Sequence, residues 1–118
     1  MAYLYDRPIA QGELDFWAVT PDHFAGMDAA PMDATGPHFI LAHSESGHHH
    51  VLDRAVAEVF TVSNSQGMEM LRLIVKEPTK VRNMGGNGHA DVDLPAGDYI
   101  AIKRRELGLD DVIRSSAD

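Results

Sequence analysis

The chain has 118 residues, of which 44% are hydrophobic and 24% are charged. This length suffices for one hydrophobic core and is too short for two, and the composition is that of a globular domain. Cysteine is absent, which excludes disulfides, thiolate metal sites and a cysteine nucleophile. No apolar run is long enough to span a bilayer, and residues 1–8 lack the basic and apolar segments of a secretion signal.

The formal net charge is −8, and the excess of acidic residues is concentrated in the first half of the chain. Residues 1–59 carry 2 basic and 9 acidic side chains, whereas residues 60–118 carry 8 and 9. An acidic chain of this size repels phosphate backbones, and its basic residues form no long run. We therefore expect neither nucleic acid nor a membrane as a partner.

Turn-forming residues divide the chain into short apolar or alternating segments, which is typical of an all-β domain. No stretch before residue 107 has the apolar spacing of a helix over three turns. Eight strands are predicted, at residues 14–19, 39–42, 49–52, 56–62, 68–75, 80–83, 92–94 and 99–105. The predicted fold is a single antiparallel β-sandwich or jelly-roll-like barrel with a short C-terminal helical turn.

The first twelve residues are more apolar than a free arm should be. Tyr3, Leu4, Tyr5 and Ile9 all lie within them. We predict that residues 1–12 form an arm and that these four side chains bind a partner. The alternative is that they form the first strand of the domain.

Two segments between predicted strands have sequence patterns that predict their conformation. Residues 20–37 contain three prolines and are predicted to form a long excursion loop. Residues 94–99, with the sequence Leu-Pro-Ala-Gly-Asp-Tyr, resemble a strand end, a turn and a new strand. This second pattern predicts a hairpin.

A run of histidines in mid-chain is the main chemical feature of the sequence. On a strand, His48 and His50 point to one face and His49 to the other, because side chains alternate. Two imidazoles on one face bind a metal ion when a third ligand approaches from a neighbouring strand. The candidates for that ligand are His89, Glu58 and His43. We predict His48, His50 and His89 as ligands of a divalent metal; the alternative is that they are surface or hydrogen-bonded core residues.

The histidine pattern matches that of the cupins only in part. Cupins have a His-x-His pair, a glutamate four or five residues later, and a further histidine. Here the corresponding positions are Arg54 and Ala55, and the first glutamate after His50 is Glu58.

Four segments taken together point to a more specific group. They are residues 11–16, 41–52, 75–78 with His89, and 94–106. In their order and spacing the chain resembles short proteins encoded in bacteriophage and prophage genomes. That group has a Gly-Glu-x-Thr-Gly-His-x-His block and a Leu-Pro-x-Gly-x-Tyr hairpin followed by an Arg-Glu pair. Ser44 and Ser46 replace the group's glycine and threonine, and only His89 stands near its His-x-x-His element.

This resemblance implies a phage origin, and small acidic all-β proteins of phages are often capsid decoration, or cement, proteins. The expected partner is the major capsid protein, bound on the outside of the head by a homotrimer that stabilises contacts between neighbouring subunits. The expected location is the virion, after synthesis in the host cytoplasm, with no catalytic residues and no cofactor. One alternative is a cupin-like metal-binding protein or enzyme that uses the histidines. Another is a carbohydrate- or host-surface-binding module with Trp17, Tyr3, Tyr5 and Tyr99 as stacking aromatics.

Overall fold

The computed structural model describes residues 3–43, 49–63, 69–84 and 91–103. The strands are β1 Ile9–Gln11, β2 Leu14–Val19, β3 Asp28–Pro31, β4 His38–His43, β5 His49–Asp53, β6 Ala57–Ser63, β7 Glu69–Val75, β8 Thr79–Met84, β9 Val92–Leu94 and β10 Gly97–Lys103. A 3₁₀-helix spans Pro21–Phe24 between β2 and β3. Over these ranges the structure has no α-helix, and hence none long and apolar enough to cross a membrane.

The strands form two antiparallel sheets. The six-stranded sheet has the order β1-β2-β10-β7-β6-β3, and the four-stranded sheet has the order β4-β5-β8-β9. The predicted all-β sandwich is therefore confirmed. Each of the eight predicted strands has a counterpart, and the described part of the chain adds two, β1 and β3. The predicted C-terminal helical turn lies outside the described residues.

The main apolar core lies between the two sheets. Because side chains alternate along a strand, Leu73 and Val75 of β7 both point into this core. They meet side chains of the four-stranded sheet. The fully buried members from both sheets are Phe16, Leu52, Leu73, Val81 and Leu94.

A smaller apolar cluster covers the other face of the six-stranded sheet. Its buried residues are Val19, Phe24, Val62, Met70 and Ile100. Phe24 belongs to the 3₁₀-helix, and the Arg72 guanidinium lies 4.4 Å from the centroid of its ring. Arg72 also forms an ion pair with Asp98 at 3.1 Å. The segment that follows β2 is therefore packed against the sheet.

The segment 20–37, predicted as a long excursion loop, contains two regular elements, the 3₁₀-helix and β3. β3 has the sequence Asp-Ala-Ala-Pro, and all four residues are exposed. Such a sequence lacks the β-branched and alternating residues of a strand signal. β3 exists because it pairs with β6 at the sheet edge, where a proline is tolerated.

Residues 3–11 lie along the edge of β2 that faces away from β10. β1 pairs with β2, with Gln11 opposite Leu14, so the connection is a two-residue loop. Its first residue, Gly12, has a φ of 59°, which type II′ hairpin loops require at this position. Residues 9–11 therefore form the first strand of the domain, which was the alternative to the predicted arm.

The predicted hairpin at residues 94–99 is wrong. β9 pairs with β8 in the four-stranded sheet, whereas β10 pairs with β2 and β7 in the six-stranded sheet. The turn therefore carries the chain from one sheet to the other. Gly97 has a φ of 150°, and the Tyr99 hydroxyl donates a hydrogen bond to the Pro95 carbonyl at 2.6 Å. The sequence shows the turn, but the packing of the two sheets decides the partners of each strand.

We expect Tyr99→Phe to lower the free energy of unfolding at pH 7 by about 1 kcal/mol, because the corner loses its hydrogen bond. Burial raises the pKa of the Tyr99 phenol above its ordinary value of 10.0, and the negative charge of ionised Tyr5 adds to the rise. The wild-type protein therefore loses stability as the pH rises from about 10 through the folded-state pKa. Urea denaturation should show the difference between the two proteins shrinking between pH 7 and pH 10.5. A difference that stays constant would contradict this assignment.

Candidate functional site

Three large apolar side chains near the start of the chain are exposed. Tyr3, Leu4 and Tyr5 have 38%, 56% and 69% of their surface accessible. We call these three residues the N-terminal apolar patch. They belong to the predicted partner-binding set; its fourth member, Ile9, is half-buried in β1 against the main core.

The N-terminal apolar patch is held in place by the edge of the six-stranded sheet. Tyr3 forms a β-bridge with Val19, and the Leu4 backbone N–H donates a hydrogen bond to the Ala18 carbonyl at 2.9 Å. The Tyr3 ring packs edge-on against Trp17, with 5.3 Å between the ring centroids. It makes a similar contact with the His23 ring at 4.9 Å. The Tyr3 ring and the backbone of residues 3 and 4 are therefore held against the sheet without a partner.

A small open cleft lies beside the patch. Its volume is about 130 Å³, and its lining includes Leu4, Tyr5, Ile9, Pro95 and Tyr99. Most of this lining is apolar. Partners at protein interfaces commonly place an aromatic or aliphatic side chain in such a notch. The patch and the cleft together form one surface suited to a protein partner.

His50 is the one predicted metal ligand within the described residues, since His48 and His89 lie outside them. Only 2% of its surface is accessible. It occupies the same face of β5 as Leu52, which is part of the main core. His49 is half-buried and takes the opposite face, as the alternation predicted. His50 is thus an interior histidine.

A side chain from the other sheet determines the protonation of His50. The Gln11 Nε2 group donates a hydrogen bond to the Val81 carbonyl at 2.9 Å, so the Gln11 Oε1 atom faces His50. The His50 Nδ1 atom lies 2.7 Å from that oxygen. Because an amide oxygen only accepts, Nδ1 must carry the proton. In the neutral imidazole the lone pair is then on Nε2.

Two of the candidate third ligands are placed elsewhere. Glu58 is exposed on β6 of the six-stranded sheet, 3.6 Å from the ammonium of Lys76. The backbone register sets His43 opposite His49, whereas Ala42 is opposite His50. A β-bulge between residues 40 and 42 produces this register. Neither Glu58 nor His43 is therefore paired with His50.

Asn83 was not among the predicted site residues. It stands directly opposite His50 in the β5–β8 pairing and shares the inward face of β8 with Val81. Its side-chain Oδ1 and Nδ2 atoms are both buried without a hydrogen-bond partner. The available signal in the sequence was that a polar residue, Asn83, follows the inward-facing Val81 by two positions on the same strand. It becomes informative only when the neighbouring strand is known.

In the part of the chain that the structure describes, no three His, Asp or Glu side chains are grouped closely enough to hold a metal ion. Comparisons of the chain with family models, curated proteins and solved structures found no match. The resemblance to phage proteins therefore stays a prediction. The described residues contain two candidate functional features: the N-terminal apolar patch with its cleft, and the buried His50 with its partner Gln11.

Proposed function

We propose that this protein is a bacteriophage capsid decoration protein that binds the outside of the head and stabilises contacts between major capsid subunits. The observation that carries the proposal is the N-terminal apolar patch, three large side chains held exposed on a rigid sandwich. Clustered exposed apolar side chains on a soluble domain mark protein interaction sites. The resemblance to phage-encoded proteins supplies the class of partner.

The patch has the composition of an interface anchor. Two of its three residues are tyrosines, which bury large areas at low entropic cost and are enriched among residues that dominate binding energy. Tyr3 is fixed by Trp17 and His23, so little ordering accompanies binding. The adjoining cleft extends the contact area. An interface of standard size, about 800 Å² per partner, is within reach of such a surface.

The acidic charge of the first half of the chain favours a partner with a basic surface. The half of the chain that contains the patch carries 9 acidic and 2 basic side chains. Complementary potential accelerates association and orients the two partners before apolar contact is made. On a capsid lattice, a trimer would contact several subunits at once, so that modest single contacts add up through avidity.

Binding to heads assembled without this protein tests the proposal. Wild-type protein should sediment with the heads at micromolar concentration. Leu4→Ser/Tyr5→Ser should weaken binding at least about tenfold, since each anchor residue contributes 1 kcal/mol or more. The matched control is Ala29→Ser/Ala30→Ser, which alters exposed apolar residues of β3 at the opposite edge of the same sheet.

All three proteins should keep the free energy of unfolding within about 0.5 kcal/mol, because exposed positions contribute little to stability. Failure of the wild-type protein to bind the heads would overturn the proposed function. Equal binding by Leu4→Ser/Tyr5→Ser and by the control would show that the N-terminal apolar patch is not the contact surface.

A further inference from the structure

We infer that the cleft beside the N-terminal apolar patch binds the C-terminal residue of a partner chain. The large apolar side chain of that residue fills the cleft, and its carboxylate pairs with the Arg7 guanidinium. Only the owner of this terminus, which would be a capsid subunit, rests on the proposed function. The chemistry of the cleft itself is open to test without capsids.

The cleft has the size of one side chain and walls that are fixed by the fold. Its volume is about 130 Å³. An apolar cavity of about 150 Å³ holds one benzene molecule, so an open cleft of this size accommodates one aromatic or branched aliphatic side chain. On one side Ile9 pairs with Phe16, and on the other the Tyr99 hydroxyl donates a hydrogen bond to the Pro95 carbonyl. Little ordering of these walls accompanies binding, which favours affinity.

The charge at the cleft selects an anionic group. Arg7 and Asp98 are the two charged residues of the lining, and Asp98 is already paired with Arg72 at 3.1 Å. Arg7 is exposed and has no ion pair or hydrogen bond within the part of the chain that the structure describes. A guanidinium binds a carboxylate through two parallel hydrogen bonds. Arg7 beside the apolar cleft therefore favours a ligand in which a carboxylate stands next to an apolar group.

The small size of the cleft determines which residue of a partner fits. Because the cleft accepts one side chain and Arg7 belongs to the same lining, the apolar group and the carboxylate come from one residue. In a polypeptide, only the last residue combines a large apolar side chain with a carboxylate. Capture of a C-terminal carboxylate is an established mode of peptide recognition. The acidic charge of residues 1–59 favours basic residues further back in the partner's tail.

Two small probes that differ only in their terminal group test the inference by NMR titration of the full chain. N-acetyl-phenylalanine, a carboxylate at neutral pH, should shift the backbone amide signals of Ala96 and Gly97 with a dissociation constant in the millimolar range. N-acetyl-phenylalanine amide should bind about threefold to fivefold more weakly, because it lacks the exposed ion pair with Arg7. N-acetylglycine, which has the carboxylate without the ring, should cause no shifts at the cleft.

Two variants of equal net charge assign the preference to Arg7. Arg7→Gln should bind the two phenylalanine probes equally. Arg54→Gln is the matched control, because it removes the other cation of residues 1–59, whose guanidinium donates to the Gly36 carbonyl, and it should keep the preference for the carboxylate. Both residues are exposed, so both variants should keep the wild-type spectrum away from the substitution.

Three results would overturn the inference. They are the absence of shifts at the cleft with about 20 mM N-acetyl-phenylalanine, equal binding of the two phenylalanine probes by the wild-type protein, and an undiminished preference in Arg7→Gln. These titrations contain no heads, so such a result leaves the decoration proposal standing. Failure of the wild-type protein to bind heads would equally leave the probe results unchanged.

Discussion

Phe16→Ala is expected to lower the free energy of unfolding by about 3–5 kcal/mol. Phe16 is fully buried in the main core. It lies on β2 between Ile9 of β1 and Ala101 of β10, so it contacts both neighbouring strands and the facing sheet. Truncation to alanine removes most of an aromatic ring and leaves a cavity that the surrounding strands cannot close. The loss combines transfer free energy with missing packing contacts.

Urea denaturation of four proteins checks this expectation. Tyr5→Ala is the control, because it removes an aromatic ring of similar size that is 69% exposed, and it should change stability by no more than about 0.5 kcal/mol. Phe16→Leu should cost about 1–2 kcal/mol and remains measurable if the alanine variant does not fold. The expectation fails if Phe16→Ala costs no more than Tyr5→Ala.

Gln11→Met is expected to lower the free energy of unfolding by about 2–4 kcal/mol. Methionine has nearly the length of glutamine and keeps the packing between the sheets. It can neither accept a hydrogen bond from the His50 Nδ1–H group nor donate one to the Val81 carbonyl, so both hydrogen bonds of the Gln11 amide are lost. Each such loss contributes about 1–3 kcal/mol of penalty. This single side chain is therefore among the most important polar residues for stability.

A double-mutant cycle distinguishes the hydrogen bonds from packing effects. His50→Leu removes the ring N–H that bonds to Gln11, so the double variant should be less destabilised than the sum of the single variants by about 1–2 kcal/mol. Strictly additive losses would show that Gln11 and His50 act independently. Thr61→Ala is a suitable control, since its hydroxyl donates to the Ala30 carbonyl at an exposed position.

The strands carry signals of very different strength in the sequence. β2 has the predicted bounds, residues 14–19, because its alternating apolar residues are bounded by Gly12 and Pro21. β3 was not predicted, and a strand within residues 1–12 was only the alternative to the predicted arm. Each is short, and each forms because it adds to an existing edge, β1 to β2 and β3 to β6. Edge pairing is a tertiary event and leaves little trace in local composition.

The residues of the candidate sites also divide into those that local sequence indicates and those that only the tertiary structure reveals. Composition was sufficient to select Tyr3, Leu4 and Tyr5, since large apolar residues outside the strand pattern must either dock or remain exposed. Alternation was sufficient to separate His49 from His50. The neighbours of His50 could not be predicted from local sequence. Gln11 contacts His50 from a position 39 residues away, and Asn83 lies opposite His50 only because β5 pairs with β8.

Local pattern alone thus establishes the all-β class, eight of the ten described strands and the opposite orientations of His49 and His50. These features depend on residues within one strand or turn, where alternation and turn chemistry act directly. The assignment of β9 and β10 to different sheets and the contact of Gln11 with His50 arise from pairing between distant segments. Several pairings satisfy the same local pattern, and the burial of the shared core selects one of them.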